Sequence, residues 1–524
     1  MECLTRRTFT QLASSAVSAG MLRPGSASSA AAPATDLTSL TLAEASGRLR
    51  DRSVTAVELT EACYARIDIY GRKLNAFVTL TRDAALAQAR ALDGELEAGR
   101  PRSPLHGVPL AIKDNIDTAG VRTTAASGVY KDRVPVEDAV VVERLKRAGA
   151  IVLGKTNLQE FALGAGDISY YGPARNPWAL DHGTGGSSSG SGAAVASNLC
   201  FGALGTDTAG SIRQPASLCG IVGLKPTYGL VSIRGIVPLI ASLDHCGPLA
   251  RTVEDAAMLL DQLAGYDRLD PHSVEHAPTS YVSAMKQPVS NLRLGLPETY
   301  FDDLDPEVAA AVKRAVDVLA AMTKGAKPVR LPAIPPELSS LGPLGAEAYA
   351  YHETLLKNDP GGYQPTIRTR LQSMGKSSAG DYIRARLGLE TLRRTVDQAF
   401  SDFDLVVLPT ERGLPPLLND MIERSMHPST GAPAAPGLAG SGTANLAPFD
   451  AFGVPAISVP CGFSRSGLPI GLTIAGPHFS EARVLALAAA YEAAARWTDR
   501  RPPLTPDMPV PVVSGYSWNP PPGA

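Results

Sequence analysis

The chain has 524 residues, 44% hydrophobic and 19% charged, an ordinary globular composition with enough apolar material for a large core. Its formal net charge is −2 and no long run of one sign occurs, which argues against a nucleic-acid or acidic-membrane partner. Beyond the N-terminal segment no apolar run is long enough to span a bilayer.

The N-terminus stands apart. Thr5-Arg6-Arg7-Thr8-Phe9 precedes a weakly apolar stretch and then small residues, the order of a bacterial twin-arginine export signal, with cleavage sites between Ala30 and Ala34. On this reading residues 1–34 are a leader, residues 35–524 are a single domain, and the protein is exported to the periplasm or beyond. The six cysteines are Cys3, Cys63, Cys200, Cys219, Cys246 and Cys461; they include no C-x-x-C pair, so neither zinc nor a disulfide framework is indicated. Buried free thiols are expected, with Cys200 and Cys219 the one pair that an oxidising compartment could bridge.

Helical grammar follows the leader. Thr41/Glu44 and Thr55/Glu58 have capping-box spacing, and the second opens a helix with Leu59, Cys63, Ile67 and Tyr70 on one face and Gly71 to close it. Residues 84–98 are alanine-rich and predict a helix. A buried strand is expected in the GVPLAIKDN run from Gly107, a helix over 137–148 ending at Gly149, and a strand in AIVLGKTN. Strand, helix, strand at these lengths predicts an α/β fold with a mixed, largely parallel sheet covered by helices on both sides. Further on, residues 252–264 predict a helix, LRLGLP and DLVVLP predict strands, and VPAISVPCGF with PIGLTIAG a strand pair. Residues 481–497 predict a long helix, the Gly/Pro/Ala-rich segment from Pro428 to Pro448 a site wall or lid, and the tail from Pro502 irregular chain.

Two stretches fit no ordinary element: GTGGSSSGSGAAVAS from Gly183 and GTDTAGSIRQP from Gly205. A serine becomes a nucleophile only when a base takes its proton and donors stabilise the oxyanion. Glycines let main-chain N–H groups converge on one point, and DTAGSIR offers such donors around Ser211. Of the eight histidines only His182 lies beside a serine run, though a triad partner can be remote in sequence. Gly186 to Gly190 satisfies G-x-S-x-G, but no apolar strand leads into it, and S-x-x-K occurs at both Ser283 and Ser373, which shows how little that pattern discriminates. Lys113, at the end of an apolar strand, is the other candidate base; partial burial would lower its pKa from roughly 10.4. Read alone, it is equally a strand-end lysine.

Residues 185–216, from GGSSSGSGAAVA through GALGTDTAGSIRQPA, resemble the signature of the amidase signature family, with Ser189 at a position where glycine is commoner. Supporting similarity spans most of the chain, including PLHGVPLAIKDNID, GKTNLQEFALG and GVPAISVPCGF. The resemblance implies a signature core over about 100–260 and a C-terminal part, 290–500, that completes the sheet and the pocket. It implies Ser211 as nucleophile, Ser187 as bridging serine after a cis peptide at Gly186, and Lys113 as base. The N–H groups of Thr208, Ala209, Gly210 and Ser211 would form the oxyanion hole. Ser188 would support the relay, and Asp207 and Arg213 would pair to hold the loop. Lys155 is a motif lysine with no chemistry assigned. Tyr170, Tyr171 and Thr410 are expected in the pocket, although core packing accounts equally well for the tyrosines.

The implied reaction is hydrolysis of a small-molecule amide through a serine acyl-enzyme, without metal or organic cofactor; oligomeric state is left open. Three alternatives compete. One is the glutaminase component of a tRNA-dependent amidotransferase, which has the same signature but needs a partner and a cytoplasmic address. The others are a catalytically silent exported binding protein and a histidine-triad esterase.

Overall fold

Eleven strands among the described residues form one sheet in the order β1-β3-β2-β4-β6-β5-β10-β11-β9-β7-β8. They are β1 (Phe77–Leu80), β2 (Pro109–Lys113), β3 (Ile151–Thr156), β4 (Gly202–Asp207), β5 (Val222–Lys225) and β6 (His245–Ala250). The remainder are β7 (Leu294–Pro297), β8 (Ala326–Val329), β9 (Leu405–Pro409), β10 (Ala456–Phe463) and β11 (Pro469–Ala475). This is the α/β, mixed-sheet class that the sequence predicts. Parallel pairing occupies two blocks, β3-β2-β4 and β9-β7-β8, and the strands between and outside them pair antiparallel. The computed structural model describes residues 36–164, 166–338, 342–426, 443–519 and 521. The expected leader, Cys3 and most of the Pro428–Pro448 segment lie outside them.

Local rules account for most elements. Both capping boxes form: Thr41 and Thr55 accept from the N–H of Glu44 and Glu58, whose carboxylates reach back to the threonine N–H groups. The helix opened by Thr55 runs past Gly71, because Asn75 adopts the left-handed conformation (φ 48°) and its N–H caps the Gly71 carbonyl. Gly149 closes the Val140–Ala148 helix with φ 87°, as expected. Ala447–Phe452 is a helix with Pro448 in its first turn, so the expected loop ends sooner than its composition implies. The expected strand pair is β10 and β11, joined antiparallel.

The main core lies where both sheet faces are covered. Leu110, Ile112, Leu204 and Val222 pack with Leu59 and Ile67 from the Ala56–Leu74 helix, Leu259 from Val253–Leu263 and Leu487 from Glu481–Ala495. A second apolar cluster joins Phe161 and Tyr171 to Ile367, Leu371 and Leu389, from helices in the 365–395 segment. The described residues from Leu37 onward form one compact unit. No disulfide joins the described cysteines Cys63, Cys200, Cys219, Cys246 and Cys461, so Cys200 and Cys219 are not bridged.

Candidate active site

β2 and β4 run side by side in parallel, so their carboxyl ends emerge together, the position at which α/β sheets build ligand sites. Lys113 ends β2; Thr206 and Asp207 end β4. The Lys113 side chain is fully buried. Its Nζ lies 2.8 Å from Ser187 Oγ and donates to Thr206 Oγ1 at 2.7 Å. Asn115 Nδ2 donates to the same threonine hydroxyl at 3.2 Å. Burial pushes Lys113 down to about 7, against the charges of Asp207 and Asp244, which favour the ammonium. An amine of that kind can hold a lone pair near neutral pH.

The serine-rich run wraps this lysine. The Gly186–Ser187 peptide is cis, the conformation that the family resemblance implies there. Ser188 Oγ donates to the Thr206 carbonyl at 3.2 Å and accepts the Thr206 N–H at 3.3 Å. This joins the serine run to the end of β4, and Gly205 allows the approach: a Cβ there would lie 2.8 Å from Ser188 Oγ. The Ser188 N–H donates to the Ser211 carbonyl at 3.2 Å, which sets the backbone of Ser211 beside the Ser187–Ser188 segment. The Ser189–Ala196 helix then leads into the core. Gly190 lies within it because a Cβ would come within 2.6 Å of the Asn157 backbone, which explains the G-x-S-x-G match without catalysis.

The second odd stretch is a strand end, a turn and a helix start. Asp207 organises it. Its carboxylate accepts the N–H groups of Gly210 and, at 3.1 Å, Ile212, together with Arg213 Nε at 3.0 Å and Nη2 at 3.1 Å. Burial pushes Asp207 up, but the Arg213 charge and hydrogen bonds outweigh it and hold the carboxyl well below the usual range. Arg213 is shared: Nη2 also meets Asp450 at 2.6 Å, and Nη1 donates to the Leu446 carbonyl at 3.0 Å. The expected Asp207–Arg213 pair is therefore a fully buried triad with Asp450.

This geometry corrects one expected donor. The Gly210 N–H is spent on Asp207, whose buried carboxylate needs hydrogen-bond donors in place of water. The N–H groups of Thr208, Ala209 and Ser211 meet no acceptor among the described residues. Gly210 itself has φ 117°, and a Cβ there would lie 2.6 Å from the Leu446 side chain.

The expected pocket residues divide. Tyr170 is half-buried, edge-on to Tyr171. Tyr171 belongs to the second core. Thr410 is buried, and its hydroxyl bonds to Ser458 at 3.0 Å and Thr473 at 2.9 Å inside the sheet, which satisfies the polar group locally. Lys155 is also buried, donating to the Ile116 carbonyl and to Thr118 and Thr123. Among the described residues no histidine hydrogen-bonds to Ser187 or Ser211. His182 pairs with Asp181, and His245 Nδ1 faces the carbonyls of Leu243 and Asp207. No described group of three or more His, Cys, Asp or Glu side chains could hold a metal ion. No described helix is long and apolar enough to cross a membrane.

Sequence reasoning missed Thr206, Gln159, Gln214, Asp167 and Glu411. Gln214 Oε1 accepts the Gly186 N–H at 3.0 Å, and its Nε2 donates to Glu411 at 3.1 Å. The Gln159 N–H donates to the Ser187 carbonyl at 3.2 Å, and its Nε2 to Asp167 at 2.9 Å. Thr206 and Gln214 carried a signal, as members of the GTDTAGSIRQP stretch, and Gln159 lies in the GKTNLQEFALG run. The rest meet across distances that no local pattern records.

The family model described as Amidase matches residues 58–485. The chain is 39% identical to the A subunit of glutamyl-tRNA(Gln) amidotransferase from Moorella thermoacetica, over 89% of this chain and 98% of that protein. It is 40% identical to the protein of the same name from Chloroflexus aurantiacus, over 90% and 99%. Among solved structures it is similar to the native peptide amidase of Stenotrophomonas maltophilia, with 32% identity, TM-score 0.74 and coverage of 89% and 99%. It is also similar to 6-aminohexanoate cyclic dimer hydrolase complexed with substrate, with 29% identity, TM-score 0.77 and the same coverage.

Proposed function

The chain belongs to the amidase family and hydrolyses an amide carbon–nitrogen bond; from that premise we propose that Ser211 is the nucleophile, Ser187 the proton relay and Lys113 the base. One observation carries this reading: a fully buried lysine amine 2.8 Å from a serine hydroxyl, with a serine-bearing turn fastened alongside.

In the cycle, neutral Lys113 takes the Ser187 proton as Ser187 takes that of Ser211, and Ser211 Oγ bonds to the amide carbon. The carbonyl oxygen becomes an oxyanion facing the free N–H groups of Thr208, Ala209 and Ser211. Such donors are worth about 10²–10³ each in rate. On collapse the C–N bond breaks, the relay returns its proton to the leaving nitrogen, and ammonia or an amine departs. Water then attacks the ester under the same base, releasing the acid and restoring Ser211.

Two observations point to different amides. The amidotransferase A subunits match at higher identity than the solved peptide amidase and cyclic dimer hydrolase, which favours a glutaminase working with a partner protein. The N-terminal arginine pair with its small-residue end favours a free-standing exported enzyme in the periplasm or beyond. Ammonia and amine release across an amide panel, with Ser211→Ala as blank, distinguishes them. Ammonia from glutamine only with a partner protein present selects the first. Turnover of short amides by the lone chain, and its retention in the cytoplasm on changing Arg6 and Arg7 to lysine, select the second. Absence of fluorophosphonate labelling at Ser211 in folded protein would sink both in favour of a silent binding protein.

A further inference from the structure

Two glutamines hold the peptide unit that carries Ser187. On one side Gln214 Oε1 accepts the Gly186 N–H at 3.0 Å. On the other the Gln159 N–H donates to the Ser187 carbonyl at 3.2 Å, and the Gln159 amide lies so close that a Cβ on Gly186 would come within 2.3 Å of it. Each glutamine is backed by an acid: Gln214 Nε2 donates to Glu411 at 3.1 Å, and Gln159 Nε2 to Asp167 at 2.9 Å. An amide side chain has no charge to orient it, so the second bond at its far end decides which way its carbonyl points.

We propose that Glu411 is a positioning residue for amide hydrolysis: it fixes the Gln214 amide so that its oxygen grips Gly186, and thereby sets Ser187 Oγ against Lys113. The chain of contacts is continuous from Glu411 through Gln214 and the Gly186–Ser187 backbone to Lys113 Nζ. Glu411 stands directly after the strand β9–Thr410 run, and its carboxyl is nearly inaccessible. Burial pushes that carboxyl up to about 8, against the Gln214 hydrogen bond and the Arg213 charge, so near neutral pH the group is a neutral acceptor. A glutamine at 411 can reproduce that acceptor; a leucine cannot. This inference rests on Ser211 and Ser187 having the roles proposed above.

The test compares wild type, Glu411→Leu, Glu411→Gln and Gln214→Met. For each, fluorophosphonate labelling of Ser211 gives a rate constant and the fraction of folded sites, and kcat and KM are expressed per labelled site. Glu411→Leu is expected to lower the labelling rate and kcat about 10- to 100-fold with KM held within about twofold, as a misplaced group does. Glu411→Gln restores both, and Gln214→Met reproduces the loss should the leucine variant not fold. Labelling of Glu411→Leu or Gln214→Met at the wild-type rate overturns the proposal. So does a Glu411→Gln variant as slow as Glu411→Leu, which would mean that the acid itself is required. Failure of the wild type to label at all refutes instead the serine reading on which the proposal rests.

Discussion

Lys113 Nζ and Thr206 Oγ1, from adjacent parallel strands, meet at 2.7 Å in a site with almost no solvent-accessible surface. Thr206 accepts from the amine twice, at its hydroxyl and, at 3.4 Å, at its carbonyl, which leaves the lone pair of the neutral amine to face Ser187. The lysine is thus aimed by a neighbour as well as desolvated by the core.

Replacing Thr206 with valine removes that acceptor at nearly constant volume and leaves the Asn115 amide without its partner too. A hydrogen-bond acceptor favours the ammonium, so its loss lowers the Lys113 pKa further. The expected result is a kcat reduced about tenfold, on the scale of a misplaced group, with the acidic limb of the pH profile moved to lower pH. A pH series of kcat/KM measures both.

The wild-type profile follows from the Lys113 shift. The active form is the unprotonated amine, and burial brings its pKa down to about 7. kcat/KM should therefore rise as pH climbs through about 7 and level off above it. Lys113→Arg should be inactive across the whole range, because guanidinium stays protonated. Measurable Lys113→Arg turnover that rises with pH would remove the lysine from the mechanism.

Arg213 separates two buried carboxylates, Asp207 and Asp450. Burial and the nearby Asp207 push Asp450 well up, against the pull of Arg213. Arg213→Met would leave this cluster uncompensated, at a cost of about 3–5 kcal/mol. Urea unfolding should register that loss, and the Ser211 turn, which hangs from the same Asp207 carboxylate, should lose activity with it.

Gly210→Ala would put a methyl group 2.6 Å from Leu446 at φ 117°, so the turn must shift. Gly210 is not itself a donor, but the shift would displace its neighbour Ala209 or Ser211, and kcat should fall about 100-fold, the cost of one lost oxyanion donor. Gly47→Ala, where nothing lies within 4 Å of the added Cβ, should leave kcat unchanged.

His182 pairs with exposed Asp181, remote in bonding from either serine. His182→Ala should keep turnover within about twofold, as surface changes away from a site do. A large loss would reopen a histidine-based mechanism.

Local order was legible in the residues themselves. The Thr55/Glu58 box, Gly149 at a helix end and the β10–β11 pair follow from interactions within a few residues or from the two-residue period of a strand. The long motif around Ser187 and Ser211 pointed to acyl transfer through its resemblance to the amidase signature; read alone, a glycine-serine turn is an ordinary tight turn. Tertiary structure alone decided who meets whom. Lys113 and Ser187 are 74 positions apart, and Gln214 and Glu411 are 197 apart. It also decided that Asp207 takes the Gly210 N–H, that Thr410 turns into the sheet, and that Lys113 loses all contact with water. A hydrogen bond and a desolvation energy depend on distance in space, and position along the chain constrains that distance only over the span of a turn or a strand.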